Sequence, residues 1–407
     1  LARVNRRPPT AAALAGAAVV LVLAAAGCGG KSGGPASATA TVGKPEGQLS
    51  LVSLGGQVEN GQTKGVDWVT PFERASGCQV SNHVIANGGE AIRLLGSGKI
   101  DGVSALGTVA VPLIANGMVQ PLQRKLLLRY RSLSPDLQRL SYNTVEGQIW
   151  GMPVGRGANV LVYNPRQVRP APRSWGAVLD PAQAAAHKGG ISVYDDPIYI
   201  ADAALYLSKH RPSLGITDPY ELTEDQFNAA VELLTRQQPD VGQYWSDFHQ
   251  QVPSFAGGHS LIGTTWQYGL ETMRRKGARV ATSPKSQGYL PSEGATGWAV
   301  SWMMSARAPH PACMYRWMNW VARPQINAQI SQRFGEAPSV PAACRYTKPG
   351  FCTAYHATDA AFWRRIRYWK GPQTDCGNGS EDCEGAKSWV NAWAEIKGEQ
   401  PTVNGGD

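Results

Sequence analysis

From Gln48 onward, apolar runs of strand length alternate with stretches of helical period. Leu49-Ser50-Leu51-Val52-Ser53-Leu54 predicts a buried strand, and Trp68 to Ala75 predicts a short helix stopped by Gly77. Val80 to Ala86 reads as strand, Gly89 to Leu95 as helix, and Val103-Ser104-Ala105 as a further short strand. Thr108 stands where a side-chain oxygen can cap a helix running to Ile114. The period returns in the second half: Gly190 to Tyr194 as strand, Ile198 to Lys209 as helix, and Glu224 to Arg236 as an amphipathic helix. Leu261 to Thr265 then predicts a strand and Tyr268 to Lys276 a helix. Near the end, Phe362, Ile366 and Trp369 fall on one helical stripe with a basic outer face. Trp389 and Trp393 mark a last helix reaching Ile396. Alternation of this kind predicts an α/β protein on open, largely parallel sheets, and the chain is long enough for two of them. Ligands of such folds sit beyond the carboxyl ends of the strands.

The N-terminal pattern differs. Arg3, Arg6 and Arg7 precede Ala11 to Gly27, seventeen residues without a charge, and Cys28 follows. A basic segment before a short apolar run predicts an export signal over residues 1–27. The run is short for a membrane span, and its Ala and Gly make it less apolar still. Leu23-Ala24-Ala25-Ala26-Gly27-Cys28 resembles a bacterial lipobox, with Ala25 where Leu is usual. That resemblance implies a lipid on the Cys28 thiol. Residues 28–47 are rich in Gly, Ser, Ala, Thr and Pro and predict a flexible tether. The expectation is an exported body tied by lipid to the outer face of the bacterial cytoplasmic membrane. Gly30-Lys31-Ser32-Gly33-Gly34 spells a nucleophile elbow, but no strand precedes it and no helix follows.

Composition narrows the classes. Charged residues make up 17% of the 407 and hydrophobic ones 43%, which excludes a disordered, charge-solvated chain. The length suggests two or three domains. No later stretch approaches the ~18 consecutive apolar residues of a membrane span, which excludes a multi-span protein. The net charge of +9 and the rings among Phe362 to Lys370 hint at nucleic acid, but an exported address argues against it. Beyond Cys28 the cysteines are Cys78, Cys313, Cys344, Cys352, Cys376 and Cys383, an even set that predicts disulfides in an oxidising compartment. Six cysteines allow fifteen pairings. Cys376 and Cys383 flank a loop that could close on itself, and Cys344 and Cys352 are similarly near. No CxxC pair exists and the seven histidines are scattered, so no metal site is expected.

At the predicted strand ends the residues suggest binding. Tyr194 runs into Asp195-Asp196, Thr265 into Trp266 with Tyr268 beyond, and Gly297-Trp298 lies between two apolar runs. Rings and one acid on convergent loops suit a small cationic or amphipathic molecule, each ring contributing about 0.5–2 kcal/mol to a desolvated cation. The alternative is core tryptophans and an aspartate capping the next helix.

Longer strings carry a family resemblance. They include Asp67-Trp68-Val69-Thr70-Pro71-Phe72-Glu73, Asp196-Pro197-Ile198-Tyr199-Ile200-Ala201-Asp202, Leu214-Gly215-Ile216-Thr217-Asp218-Pro219-Tyr220, and Phe334-Gly335-Glu336-Ala337-Pro338. From about Glu46 to Ala342 the chain resembles the substrate-binding proteins of bacterial spermidine/putrescine-type ABC transporters, in a branch with extra cysteines. The resemblance implies a two-lobed, periplasmic-binding-protein-like (type II) α/β fold with the ligand cleft between lobes. Residues 48–156 with 297–342 would form one lobe, 157–296 with 343–397 the other, and 398–407 a tail. It implies that Asp196 meets an ammonium, that Trp266 and Trp298 sandwich the methylene chain, and that Tyr268, Tyr199, Thr108 and Arg156 lie at the pocket.

The family pattern is broken at several positions. Val300 replaces an acid, Tyr199 a glutamate, and Leu54 an aromatic; Leu106 and Thr108 stand where relatives place Ser and Tyr or an Asp; Arg156 replaces an aromatic. Burying an ammonium group without a partner costs several kcal/mol. The expected ligand therefore carries at most one strong positive centre, with a carboxylate that Arg156 could receive in a fork. Arg156 facing solvent is the alternative. The expected function is capture of a polyamine-like or related small amine by a monomeric, extracytoplasmic component of an ABC importer. It would deliver the solute to a membrane permease and its ATPase, without cofactor, metal or catalysis. A sensory lipoprotein, an importer component for an amino-acid-like ligand, and an enzyme using Asp195-Asp196 are the competing readings.

Overall fold

Strand β1 (Gln48–Ser53) buries Leu49, Leu51 and Val52, and its carboxyl end leads into Gly55-Gly56. This computed structural model describes residues 41–85, 87–284, 289–376 and 382–399. The predicted export signal, Cys28 and all but the end of the tether lie outside the described residues, as do Ala86 and residues 400–407. Helix α1 (Val69–Ser76) turns Val69 and Phe72 inward. It ends where Gly77, at φ 73°, adopts the left-handed conformation that returns its N–H to the Glu73 carbonyl. Strand β2 (Gln79–Val84) and helix α2 (Gly88–Gly96) follow, the Asn87 side chain capping α2 by accepting from the Glu90 N–H. Strand β3 (Gly102–Ala105) is wholly buried and runs into helix α3 (Gly107–Ala115). Leu106 holds the cap position of α3 without a side-chain bond, so Thr108 sits inside the first turn and does not cap it.

Strand β4 (Met152–Tyr163) is buried along all twelve residues. Beyond it come β5 (Ile191–Tyr194), α4 (Tyr199–His210) and α5 (Glu224–Gln237), the last started by a reciprocal capping box between Thr223 and Gln226. Then follow β6 (Val241–Trp245), α6 (Phe248–Ala256), β7 (Ile262–Trp266), α7 (Gln267–Arg275) and the buried β8 (Ala295–Ser305). Helices α8 (Pro311–Val321) and α9 (Pro324–Phe334) precede the short α10 (Ala360–Trp363), strand β9 (Ile366–Tyr368) and α11 (Ala386–Lys397). Among the described residues no helix is long and apolar enough to cross a membrane.

The main sheet runs in the order β2-β1-β3-β8-β4-β7-β5-β6. Its two outer triplets are parallel, but β8 is antiparallel to β3 and to β4, and β4 is antiparallel to β7. The expectation of largely parallel sheets is therefore corrected at the centre. Strand β4 pairs with β8 through Ala158 and with β7 from Asn159 onward, so one strand serves both halves and must run against its neighbours. On one face of the first half Trp68, Phe72, Trp302 and Trp317 pack together, and on the other Val52, Val103, Leu113 and Met303. In the second half Trp175, Tyr199, Leu233 and Ile262 share a core with Trp389 and Trp393 of α11.

Phe362 to Trp369 departs from the single helix its spacing predicts. The chain makes one helical turn, then Ile366 to Tyr368 extends in parallel beside Ala295–Gly297 of β8. The open edge of β8 offers hydrogen-bonding groups that a short segment of Ile and Tyr satisfies better as strand than as helix. Phe362, Ile366 and Trp369 are buried nonetheless. The six cysteines in the described residues form three disulfides: Cys78–Cys313, Cys344–Cys352 and Cys376–Cys383.

Candidate functional site

The carboxyl ends of the parallel strands converge on one cavity of about 500 Å³. Gly55 and Gly56 follow β1, and Leu106 follows β3. Tyr194 ends β5, Phe248 and His249 follow β6, and Trp266 and Tyr268 close β7. Arg333, Phe334 and Gly335 at the end of α9 complete the wall from the first half, and Trp298 of β8 and Trp369 after β9 contribute indoles. The cavity therefore lies between the two halves of the sheet, and seven of its lining side chains are aromatic.

Ring geometry is tight. Trp298 lies 5.9 Å from Trp266 at 67° and 5.5 Å from Trp369 at 37°. Tyr194 stands edge-on to Trp266 at 5.3 Å, and Trp245 supports both from behind, 5.0–5.1 Å away. Such contacts contribute about 0.5–1.5 kcal/mol each beyond burial, so the cage holds its shape without a ligand. Two glycines make it possible. Gly157 of β4 lies opposite Trp298, and a Cβ there would overlap the indole. Gly335, at φ +86°, meets the Tyr268 ring closely enough that a Cβ would overlap it too.

The electrostatics are unusual for a cation site. Arg333 and His249 are the charged or titratable nitrogen bases of the lining, and no carboxylate is among its residues. Arg333 is held by Glu59, Nε to Oε1 2.7 Å, and His249 Nδ1 by Asp247 at 2.8 Å. The indole Nε1 groups of Trp266 and Trp369 have no hydrogen-bond partner.

The structure gathers Trp266, Trp298 and Tyr268 at this cavity and puts the other sequence-identified residues elsewhere. Asp196 lies beyond the end of β5, near enough to Tyr194 that its charge, second to burial, helps raise the phenol pKa. It is not in the lining; its Oδ1 accepts the Ile198 N–H at 2.9 Å, the helix-start role open in the sequence. Burial pushes its own carboxyl pKa up. Its neighbour Asp195 is spent on Lys397, at 2.9 Å, and on the Trp393 indole N–H.

Three expectations are corrected. Tyr199 turns into the core of the second half, 1% exposed, its hydroxyl accepting from Gln237 Nε2 at 3.1 Å. Thr108 is absent from the lining because the segment after β9 lies over the start of α3, with the Gly371 N–H donating to the Gly107 carbonyl at 3.2 Å. Arg156 faces neither cleft nor solvent. It is 2% exposed, pairs with Asp136, donates to the Tyr368 hydroxyl at 3.1 Å, and stacks over Trp363 at 4.0 Å. A guanidinium so occupied has no fork to offer a ligand.

Sequence reading missed Trp369, Phe248, His249, Arg333 and Phe334. Spacing puts Trp369 on a helical stripe, yet its backbone N–H donates to the Gly297 carbonyl at 2.6 Å and its ring stacks on Tyr194. Phe334-Gly335 lay within a family string, the one signal that could have pointed to this wall.

Comparison with known proteins agrees with this architecture. The family model described as bacterial extracellular solute-binding protein matches residues 108–370. The putrescine-binding periplasmic protein PotF of Escherichia coli is 25% identical over 280 residues, 65% of this chain and 72% of PotF. The structure of the spermidine/putrescine ABC transporter substrate-binding protein PotD from Streptococcus pneumoniae superposes with a TM-score of 0.67 at 15% identity, covering 86% of this chain and 98% of PotD. The Atu4243–GABA receptor structure gives 0.61 at 16% identity, covering 86% and 95%. At these identities the two structures bear on the fold alone. With a cleft at the strand ends, a matching fold and a family model spanning most of the chain, the protein belongs to the bacterial extracellular solute-binding proteins, the non-enzymatic solute-capturing components of ABC transport.

Proposed function

We propose that the ring-lined cleft captures a small amine carrying one strong cationic centre and a hydrogen-bond acceptor, an amino-acid-like solute such as an ω-amino acid. The observation that carries this reading is the lining itself: seven aromatic side chains, two nitrogen bases and no carboxylate. Rings can stabilise one ammonium by about 0.5–2 kcal/mol each. A second or third ammonium, as in putrescine or spermidine, would be desolvated without a counter-charge at a cost of several kcal/mol. The unpartnered indole N–H groups of Trp266 and Trp369 and the Arg333 guanidinium favour an acceptor at the solute's other end. Asp196 is outside the lining and its Oδ1 is held by the Ile198 N–H, so it supports the single ammonium by its charge from beyond Tyr194 and not by contact.

The polyamine reading keeps one support, the similarity to PotF, a putrescine-binding protein. The fold shared with a GABA receptor structure is an architecture that also holds an amino-acid-like solute. In either case the solute would bridge the two halves and favour their closed arrangement by its differential affinity for it. The closed form would dock on a permease driven by an ATPase, and a lipid on Cys28 would keep it near that partner. Calorimetric titration with putrescine, spermidine, 4-aminobutyrate and 5-aminovalerate tests the reading. Saturable binding of an ω-amino acid at least tenfold tighter than putrescine is expected. Tight putrescine binding, lost in Asp196→Asn, would restore the polyamine ligand.

A further inference from the structure

We infer that the chain carries a second small-molecule site, for a carboxylate, on the side of α7 turned away from the aromatic cleft. A cavity of about 500 Å³ lies there, within the range typical of ligand pockets, and shares no lining residue with the cleft. Trp266 and Tyr268 line the cleft, while Gln267 between them lines this second cavity.

Gln267 is 2% exposed. Its Oε1 accepts the Ala158 N–H of β4 at 3.1 Å, which fixes which end of the amide is the donor, and that donor, Nε2, has no partner. A buried amide N–H₂ left unsatisfied is a standing cost that an acceptor would remove. The rest of the polar lining is donor-rich. It includes Arg274, one of whose guanidinium nitrogens pairs with Glu271 at 2.7 Å, and the hydroxyls of Thr282 and Thr353. The single carboxylate in the lining, Asp359, is already engaged. Its Oδ1 accepts the Ala361 and Phe362 N–H groups and its Oδ2 lies 3.4 Å from His356. Arg274 and Gln267, seven residues apart on α7, face this cavity with one acid that is already engaged, and a guanidinium together with a primary amide suits a carboxylate.

Titrating the whole protein with acetate, succinate and citrate, with inorganic phosphate as comparator, tests the assignment. At least one carboxylate should bind saturably at one site, with affinity unchanged in the cleft variant Trp298→Ala and weakened at least tenfold in Arg274→Gln and in Gln267→Leu. Arg274 is a surface residue, so its variant reads the site even where Gln267→Leu unfolds. No saturable binding of any carboxylate, phosphate binding more tightly than every carboxylate, or binding lost in Trp298→Ala and retained in Arg274→Gln would overturn it. None of these outcomes bears on the amine solute of the cleft, which is read by separate titration.

Discussion

The Trp369 indole lies parallel to the Tyr194 ring, their planes 4° apart and their centroids 6.0 Å apart, although 175 positions separate them in the chain. The last part of the chain thus supplies one wall of the cleft. Lys370 fixes that wall by pairing with Asp218, at 2.9 Å, and with Glu221. Trp369→Phe should keep the fold and weaken solute affinity by roughly three- to tenfold, about 0.6–1.4 kcal/mol, since a smaller ring covers less of the cavity. Trp369→Ala should weaken it further. Titration of both variants with the same solute checks this; unchanged affinity in the alanine variant contradicts it.

Stability should fall as pH rises from about 5 to about 8. Asp202 is buried and accepts from Thr296 Oγ1 at 2.8 Å; burial pushes its carboxyl up to about 7. Glu336, bonded to Gln57 Nε2, is pushed up to about 8 by burial. In the unfolded chain both ionise near pH 4, so that chain releases these protons first, and the native advantage is lost between about pH 4 and each group's folded value. Thermal midpoints across that range should decline, and Glu336→Gln should flatten the decline. A midpoint that rises with pH, with the same slope in the variant, would contradict it.

Arg156 acts as a structural tie. It joins Asp136 to Tyr368 and Trp363, segments more than two hundred positions apart. Lys cannot reproduce both the fork and the planar stack. Arg156→Lys should therefore cost about 1–3 kcal/mol in stability by analogy with charge-assisted hydrogen bonds and leave solute affinity within twofold. Denaturant unfolding together with titration separates the two; a large affinity loss without a stability loss would return Arg156 to the ligand.

Cys78–Cys313 closes a separation of 235 residues and both its cysteines are 0% exposed, whereas Cys344–Cys352 closes 8. Loop entropy gives about 5.5 kcal/mol for the long bridge against about 2.5 kcal/mol for the short one. The double variant Cys78→Ala with Cys313→Ala should melt well below Cys344→Ala with Cys352→Ala. Equal melting points would contradict the ranking.

Much of the fold was legible because buried strands and amphipathic helices write their periods directly into the chain, as Leu49 to Leu54 and Glu224 to Arg236 do. The central antiparallel pair was not, because the direction in which β4 meets β8 depends on where the chain returns and leaves no local mark. The site was half legible. Trp266 stands at a strand end that periodicity locates and Trp298 is placed at the pocket by the family resemblance, but Trp369 reaches the cleft only because β9 joins the edge of β8. Arg156 and Tyr199 had the right positions by resemblance and the wrong directions. Strand alternation decides which way Arg156 of β4 turns and helical phase which way Tyr199 of α4 turns, and only packing shows that Trp363 and Gln237 claim them.

The account rests on a solute lodged among the indoles between the two halves. Titrating the protein with 4-aminobutyrate and with putrescine while following indole emission, in the natural chain and in Trp298→Ala, reads that location directly. The account predicts a saturable emission change with the ω-amino acid, at the midpoint calorimetry gives, and its loss in Trp298→Ala. Heat of binding with unchanged emission, or binding indifferent to Trp298→Ala, would put the solute elsewhere.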